Sequence, residues 1–135
     1  MARGMSLIVL LVVSAAGIAT AQTGRLTAEE ARRELYGVEL AGVNELAGDQ
    51  WSECIEPGGR TIYRRGGQAQ EGRLEIRPDG RACFNYPPDT YHSCFAVTRE
   101  GENYRFDSFV THTVRRNVRD CGAVNDAFVR LGASS

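Results

Sequence analysis

The clearest pattern of hydrophobic and polar positions lies over residues 70–77. Gly72, Leu74 and Ile76 alternate there with charged residues at the odd-numbered positions. Successive side chains of a β-strand point to opposite faces of the sheet. This two-residue period therefore predicts a strand with one buried face and one charged, solvated face.

The chain after Asp49 alternates between strand-like runs and connections that are typical of turns, such as Pro78-Asp79-Gly80. The other predicted strands are residues 51–55, 60–64, 81–86, 91–98 and 104–110. Residues 111–131 fit either a strand or a helix, with a break at Cys121-Gly122. Short antiparallel strands in this number predict a mainly β fold, either a small meander barrel or a sandwich.

One short helix is predicted before the strands, over residues 26–37. Thr27 is a favourable N-cap, and Glu30, three residues later, completes a capping box. Gly37 is typical of the position that ends a helix. The apolar face is narrow and consists of Leu26, Ala31, Leu35 and Tyr36. We expect this N-terminal helix to lie across the sheet or to plug one end of it.

The first 21 residues have the organisation of a secretory signal peptide. Arg3 precedes an unbroken apolar run over residues 7–13, and Ala19-Thr20-Ala21 forms an A-x-A cleavage site. The apolar run is shorter than the roughly 20 residues that a spanning helix needs. We expect cleavage before Gln22 and a single β-rich domain over residues 22–135. The product is then periplasmic or secreted, with no stable membrane span.

Four cysteines lie in the predicted mature chain, and an oxidising compartment favours their pairing in two disulfides. The turn at residues 87–90 is centred midway between Cys83 and Cys94, so a hairpin folded there places these two opposite each other. Cys54 and Cys121 then pair by elimination and connect the front of the domain to its tail. The cysteine spacings contain no Cys-x-x-Cys motif, and we expect no metal and no cofactor.

The same hairpin register assigns side chains to faces. With Cys83 opposite Cys94, the face expected to form the core or a cavity lining carries Phe84, Tyr86, Phe95 and Val97. Asn85 and His92 lie on the other face with the two cysteines. The aromatic residues expected to line the core, and to compete with any ligand cavity for space, are Tyr63, Phe84, Tyr86, Phe95, Tyr104 and Phe106.

Composition and charge exclude some classes of partner. Hydrophobic residues make up 42% of the 135 positions, which is too many for a disordered chain and too few for a polytopic membrane protein. Every fixed side-chain cation is arginine, and the formal net charge is −1. No overall positive field therefore draws the chain to nucleic acid.

The strongest polar cluster consists of Arg115, Arg116 and Arg119. Their guanidinium groups can hold an anionic ligand, an acidic patch of a partner or a lipid headgroup, and the alternative is a solvated strand or helix face. His92 can act as a base or a ligand, and the alternative is a surface histidine on a polar strand face. His112 has no acidic residue at metal-ligand spacing.

Paired carboxylates of the kind that cleave glycosides offer a catalytic alternative, because Glu53, Glu56, Glu71 and Glu75 lie on or near strands. Glu71 and Glu75 occupy the charged outer face, where a solvated role is expected. The sequence assigns no catalytic residue.

The segments CFNYP at 83–87 and CFAVTR at 94–99 resemble a pattern in small exported proteobacterial proteins of uncharacterised function, which look like short lipocalin-like β-proteins. Trp51 and the turns at 57–60 and 78–81 also belong to that pattern. The resemblance covers residues 40–110. It implies the β fold and a periplasmic address, and it brings no established chemistry.

The function expected from these observations is that of a non-catalytic periplasmic or secreted binding or accessory protein. Such a protein holds a small ligand or docks on an envelope partner. The alternative is a cell-envelope hydrolase or an inhibitor of one, and an inhibitor needs a rigid exposed loop, for which residues 87–90 are the best candidate.

Overall fold

A computed structural model of the chain describes residues 24–89 and 92–124. The predicted signal peptide lies outside the described residues, and so do Thr90, Tyr91 and the ambiguous stretch after residue 124. The described residues form one helix and ten strands. In chain order these are β1 (Gly24–Arg25), α1 (Ala28–Leu35), β2 (Val38–Asn44), β3 (Gln50–Ile55), β4 (Arg60–Arg65), β5 (Gln68–Ile76), β6 (Ala82–Asn85), β7 (Ser93–Phe95), β8 (Val97–Glu100), β9 (Asn103–Phe106) and β10 (Phe109–Arg116).

All ten strands belong to one antiparallel sheet with the order β1-β8-β9-β10-β2-β3-β4-β5-β6-β7. The sheet curls into a half-barrel. This curl brings together aromatic rings from strands that are far apart in the strand order. Phe84 of β6 lies 6.3 Å from Phe106 of β9, centroid to centroid. Only Ala96 separates β7, at one edge, from β8, next to the other edge. The mainly β fold expected from the sequence is confirmed.

The predicted helix is confirmed, and it closes one end of the half-barrel. The Thr27 side chain and Glu30 form the expected capping box. Ala31 and Leu35 face the hydrophobic core. The residues just before the helix pack closely against the β5–β6 turn. A Cβ on Gly80 of this turn would come within 2.7 Å of the backbone oxygen of Leu26. Helix α1 therefore covers the end where this turn lies.

Both predicted disulfides are present, Cys83–Cys94 and Cys54–Cys121. The hairpin register is the expected one, with Cys83 opposite Cys94 and Phe84 opposite Ser93. The alternation along β5 is also confirmed, because Gly72, Leu74 and Ile76 are buried and their neighbours are exposed or half-buried.

Two parts of the predicted strand pattern are wrong. Residues 104–110 do not form one strand, because the chain turns back at Asp107-Ser108 between β9 and β10. Asp107 adopts a left-handed conformation with φ of 56°. An aspartate tolerates this conformation without the glycine or proline that usually marks a turn in a sequence. Residues 91–98 are likewise divided, at Ala96, into β7 and β8.

The structure also adds two strands, β1 and β2, and settles part of the ambiguous tail. Strand β2 was not expected, although it pairs with both β3 and β10 at the centre of the sheet. Residues 109–116 continue as strand β10, and Asn117 then takes a left-handed φ of 60°. Within residues 24–89 and 92–124, no helix has the length and apolar character that crossing a membrane requires.

Candidate functional site

Strand β3 sends three consecutive inward side chains into the half-barrel. Trp51, Glu53 and Ile55 are buried on its inner face, while Ser52 and Cys54 lie on the other face. The strand is paired on both sides, with Leu40 of β2 and Tyr63 of β4 directly beside Glu53. The two-residue period of a strand thus carries a carboxyl group to the interior between two large apolar side chains.

A cavity of about 270 Å³ lies above this face. It opens at the end opposite α1, where the β4–β5 and β9–β10 turns lie. The aromatic residues that line it are Trp51, Tyr63, Phe84, Tyr86, Phe95, Phe106 and Phe109. Five of the six aromatic residues expected in the core belong to this lining. The sixth, Tyr104, is buried towards α1 and donates a hydrogen bond to Glu34.

The rings hold one another mainly by edge contacts. Trp51 meets Phe106 and Phe109 edge-on, at centroid distances of 6.3 Å and 5.7 Å. Phe95 meets the same two phenylalanines edge-on at 6.1 Å and 6.0 Å. Aromatic pairs prefer such arrangements over face-to-face contact. These contacts fix the wall of the cavity, because each ring is oriented by at least one other.

Glu53 is the buried polar group of this cavity, with 3% of the residue exposed. The Tyr86 hydroxyl donates a hydrogen bond of 2.6 Å to Oε2, and Oε1 has no hydrogen-bond partner among the described residues. Burial raises the pKa of Glu53 to about 8, against the opposing effects of the Tyr86 hydrogen bond, Thr61 and the charge of Arg64. The Thr61 hydroxyl lies near enough to favour the carboxylate, but it makes no hydrogen bond in the described part of the chain.

The neighbouring tyrosines are neutral. Burial, and then the charge of Glu53, raises the pKa of Tyr86 far above its usual range. Burial also raises the pKa of Tyr63, whose ring centroid lies 5.7 Å from that of Tyr86. The indole Nε1 of Trp51 is a further buried donor that has no partner within the described residues. The inner surface therefore offers unused hydrogen-bonding capacity at Trp51 and Glu53.

The mouth carries charged groups. Arg65 makes two hydrogen bonds to Asp49, of 2.6 Å and 2.8 Å, and its guanidinium lies 5.4 Å from the centroid of the Phe109 ring. These hydrogen bonds, and then the opposite charges, raise the pKa of Arg65 and lower that of Asp49. Asp89 also lines the cavity at this end. The guanidinium is thus already bound to a carboxylate before any ligand enters.

The structure does not assemble into a pair the four acids that the glycosidase alternative requires. Arg60 binds both Glu56 and Glu71, through hydrogen bonds of 2.8 Å and 3.0 Å. Glu75 lies on the charged outer face of β5. Glu53 is alone among the four in lining the cavity, within the described residues.

The predicted arginine cluster is divided. Arg115 extends along the sheet and binds Glu39 of the neighbouring strand. Arg116 donates to the Tyr104 hydroxyl at 2.7 Å and to the backbone oxygen of Glu34 at 3.2 Å. Arg116 and Arg119 line a second cavity of about 290 Å³, together with Arg33. No acidic residue lines this second cavity in the part of the chain that the structure describes.

The two histidines are both exposed, and neither lines the aromatic cavity. His92 lies next to β7, directly after the two residues outside the description. No group of three or more metal-ligating side chains occurs within residues 24–89 and 92–124.

In the sequence, Glu53 is only one of four candidate acids. The signal that places it inside was present, because Trp51, Glu53 and Ile55 follow the period of a strand with a buried face. Searches for a matching family model, a similar curated protein and a similar solved structure found none.

Proposed function

We propose that this chain is a non-catalytic, lipocalin-like binding protein that holds a compact, mostly apolar small molecule in its aromatic cavity. The observation that carries the proposal is a cavity walled by seven aromatic residues, with an incompletely bonded carboxyl group among them. Binding sites for small molecules are typically concave and apolar, with few polar groups that orient the ligand. The volume of about 270 Å³ lies just below the range of about 300–1,000 Å³ that is typical of ligand pockets, so the ligand is small.

Binding is favoured over hydrolysis because Glu53 is the one buried carboxyl group of the described lining, while Asp89, the second acid there, is exposed at the mouth. A glycosidase needs a second carboxylate at a defined distance on the other side of the bond. The nearest partner of Glu53 is instead a tyrosine hydroxyl, and Glu56 and Glu71 are bound to Arg60.

The test uses Trp51, which is the only tryptophan of the chain and lines the cavity, as a fluorescent reporter. Titration with benzyl alcohol is expected to change its emission saturably. Ser93→Phe adds a ring on the cavity side of β7 and should abolish the response. The matched control His92→Phe adds the same ring at an exposed neighbouring position and should leave it intact. A response that does not saturate, or that survives Ser93→Phe, would argue against ligand binding.

We propose further that the protein acts in the periplasm or outside the cell, after cleavage before Gln22. Two disulfides and the signal-like N-terminal sequence support this address. The intact mass of the protein recovered from the exported fraction should correspond to residues 22–135 with four oxidised cysteines. A mass that includes residues 1–21 would contradict the proposed cleavage.

Docking on an envelope partner is the second candidate, and the second cavity favours it. Arg33, Arg116 and Arg119 present guanidinium groups there with no acidic residue in the described lining, which suits an anionic group on the partner. Inorganic phosphate should raise the Tm of the wild type and of Arg81→Gln, but not that of Arg119→Gln. Equal shifts in all three proteins would remove this site from consideration.

A further inference from the structure

The polar group inside the aromatic cavity specifies the ligand further. We propose that the cavity selects a small organic cation, a protonated primary amine on an apolar body, whose ammonium group binds the carboxylate of Glu53. This inference rests on the proposed binding function and names the class of ligand.

Hydrogen bonding at Glu53 favours an N–H donor. One carboxyl oxygen accepts from Tyr86, and the other has no partner in the described part of the chain. Leaving a buried acceptor unpaired costs about 1–3 kcal/mol, and more for a charged group. An ammonium group carries three donors and no acceptor, so it can bond to the free oxygen without competing for the Tyr86 hydroxyl.

The aromatic rings beside Glu53 favour a cation for a second reason. Tyr63 is the direct cross-strand neighbour of Glu53, Tyr86 is bonded to it, and Trp51 lies two residues away on the same inner face. The face of an aromatic ring attracts a cation within about 6 Å of its centroid, and the attraction grows when water is excluded. An ammonium group bound to Glu53 therefore lies beside three aromatic side chains.

The charged groups around the cavity also disfavour an anion. The lining contains two acids, Glu53 and Asp89, and one arginine, Arg65. Arg65 is already bound to Asp49 by two hydrogen bonds. Arg64 is the remaining charge that acts on Glu53, and it lies on β4 next to the inward-facing Tyr63. The two tyrosines stay neutral because burial raises the pKa of both.

Binding of the cation is coupled to loss of a proton. In the empty cavity the Glu53 carboxyl has a pKa of about 8, so it is mostly protonated below that pH. An ammonium group binds the ionised form and drives the proton off. Below pH 8 the affinity should therefore rise about tenfold for each pH unit, as one released proton requires.

The experiment compares three probes of similar size that differ in charge: benzylamine, benzyl alcohol and benzoate. Trp51 emission gives each dissociation constant at pH 6 and pH 7. Benzylamine should bind about tenfold more tightly at pH 7 than at pH 6, while benzyl alcohol should be unaffected by pH. Calorimetry of the wild type in buffers of different ionisation enthalpy should show release of about one proton per benzylamine at pH 6.5.

Glu53→Gln keeps the shape of the side chain and should remove both the pH dependence and the preference for benzylamine over benzyl alcohol. Glu75→Gln makes the same change of charge on the outer face of β5 and should leave both unchanged. If Glu53→Gln does not fold, calorimetry of the wild type still tests whether benzylamine binding releases a proton.

The possible failures are distinct. Equal affinity for benzylamine and benzyl alcohol with no proton release, or tightest binding of benzoate, overturns the inference and leaves the proposed binding function intact. Absence of binding by all three probes overturns both.

Discussion

At the scale of single residues, the buried carboxyl group is the feature that sets this protein apart from an ordinary β core. Glu53 lies between Trp51 and Ile55 on an inner face that is otherwise apolar. Burying a polar group without full hydrogen bonding is costly, so proteins usually avoid it away from functional sites. The incompletely hydrogen-bonded carboxyl group of Glu53 is such an exception, and it lies in the wall of the aromatic cavity.

We predict that Glu53 makes the fold less stable as the pH rises. Its folded-state pKa of about 8 lies above the unfolded value of 4.5, so the folded protein holds the extra proton between these values. The contribution of Glu53 to the free energy of unfolding is fully present at acid pH and is lost progressively as the pH rises to 8. Denaturant titrations give the free energy of unfolding at pH 5 and at pH 8. From pH 5 to pH 8 this free energy should fall much less in Glu53→Gln than in the wild type. Glu75→Gln should behave like the wild type, and parallel losses in all three proteins would contradict the prediction.

Gly72 makes room for the tyrosine that binds Glu53. A Cβ at this position would lie 2.5 Å from the Tyr86 ring and 2.4 Å from the backbone oxygen of Asn85. We predict that Gly72→Ala displaces Tyr86, costs about 1–3 kcal/mol of unfolding free energy and weakens binding of benzyl alcohol. Chemical denaturation and Trp51 fluorescence measure the two effects. Ala69, on the same strand, offers the control Ala69→Gly, which should leave ligand binding unchanged.

At the scale of elements, each disulfide constrains a different length of chain. Cys54–Cys121 closes a loop of 67 residues, whereas Cys83–Cys94 closes one of 11 within a single hairpin. In the chain-entropy account, the longer loop loses more freedom in the unfolded state.

We predict that replacing Cys54 and Cys121 by alanine costs about 4 kcal/mol of unfolding free energy, and that replacing Cys83 and Cys94 costs about 3 kcal/mol. Urea denaturation of the two double variants, each compared with the oxidised wild type, measures these costs. A larger loss from the hairpin pair than from the long-range pair would show that loop entropy is not the dominant contribution.

Elements with strong local signals could be predicted from the sequence. The capping box of Thr27 and Glu30 marks the start of α1, and the turn between Cys83 and Cys94 sets the register of its hairpin. Strand β2 could not be recognised in the same way, because Ala41 and Gly42 weaken its hydrophobic alternation and its pairing depends on distant strands. The turn at Asp107 lacks the usual glycine.

At the scale of the whole molecule, curvature decides whether aromatic side chains form a solid core or line a cavity. The sequence places six of them on inner faces, but the distance between facing rings depends on how far the sheet curls. That curl results from the pairing of all ten strands together, which no local pattern of residues specifies. The cavity and the burial of Glu53 therefore emerge only from the complete fold.

We predict a gradient of stability across the sheet. Strands β2, β3 and β4 are paired on both sides at its centre, while β1 and β7 lie at the edges and have only two and three residues. Amides of the central strands should exchange with solvent most slowly, close to the limit set by global unfolding. Hydrogen exchange followed by mass spectrometry measures this order, and equal rates in β1 and β3 would contradict it.

The pairing of β2 with β10 has a consequence for the order in which the chain folds. Val43 lies beside Val110, and Val38 lies beside Arg116. One edge of β2 therefore remains unpaired until residues far along the chain fold against it. The hairpins from β3 to β6 can form from near neighbours, but the sheet is completed only when the last strand arrives. Non-local pairing of this kind slows folding to milliseconds or seconds. Until then β2 exposes a free strand edge, which makes the incompletely folded chain prone to aggregate.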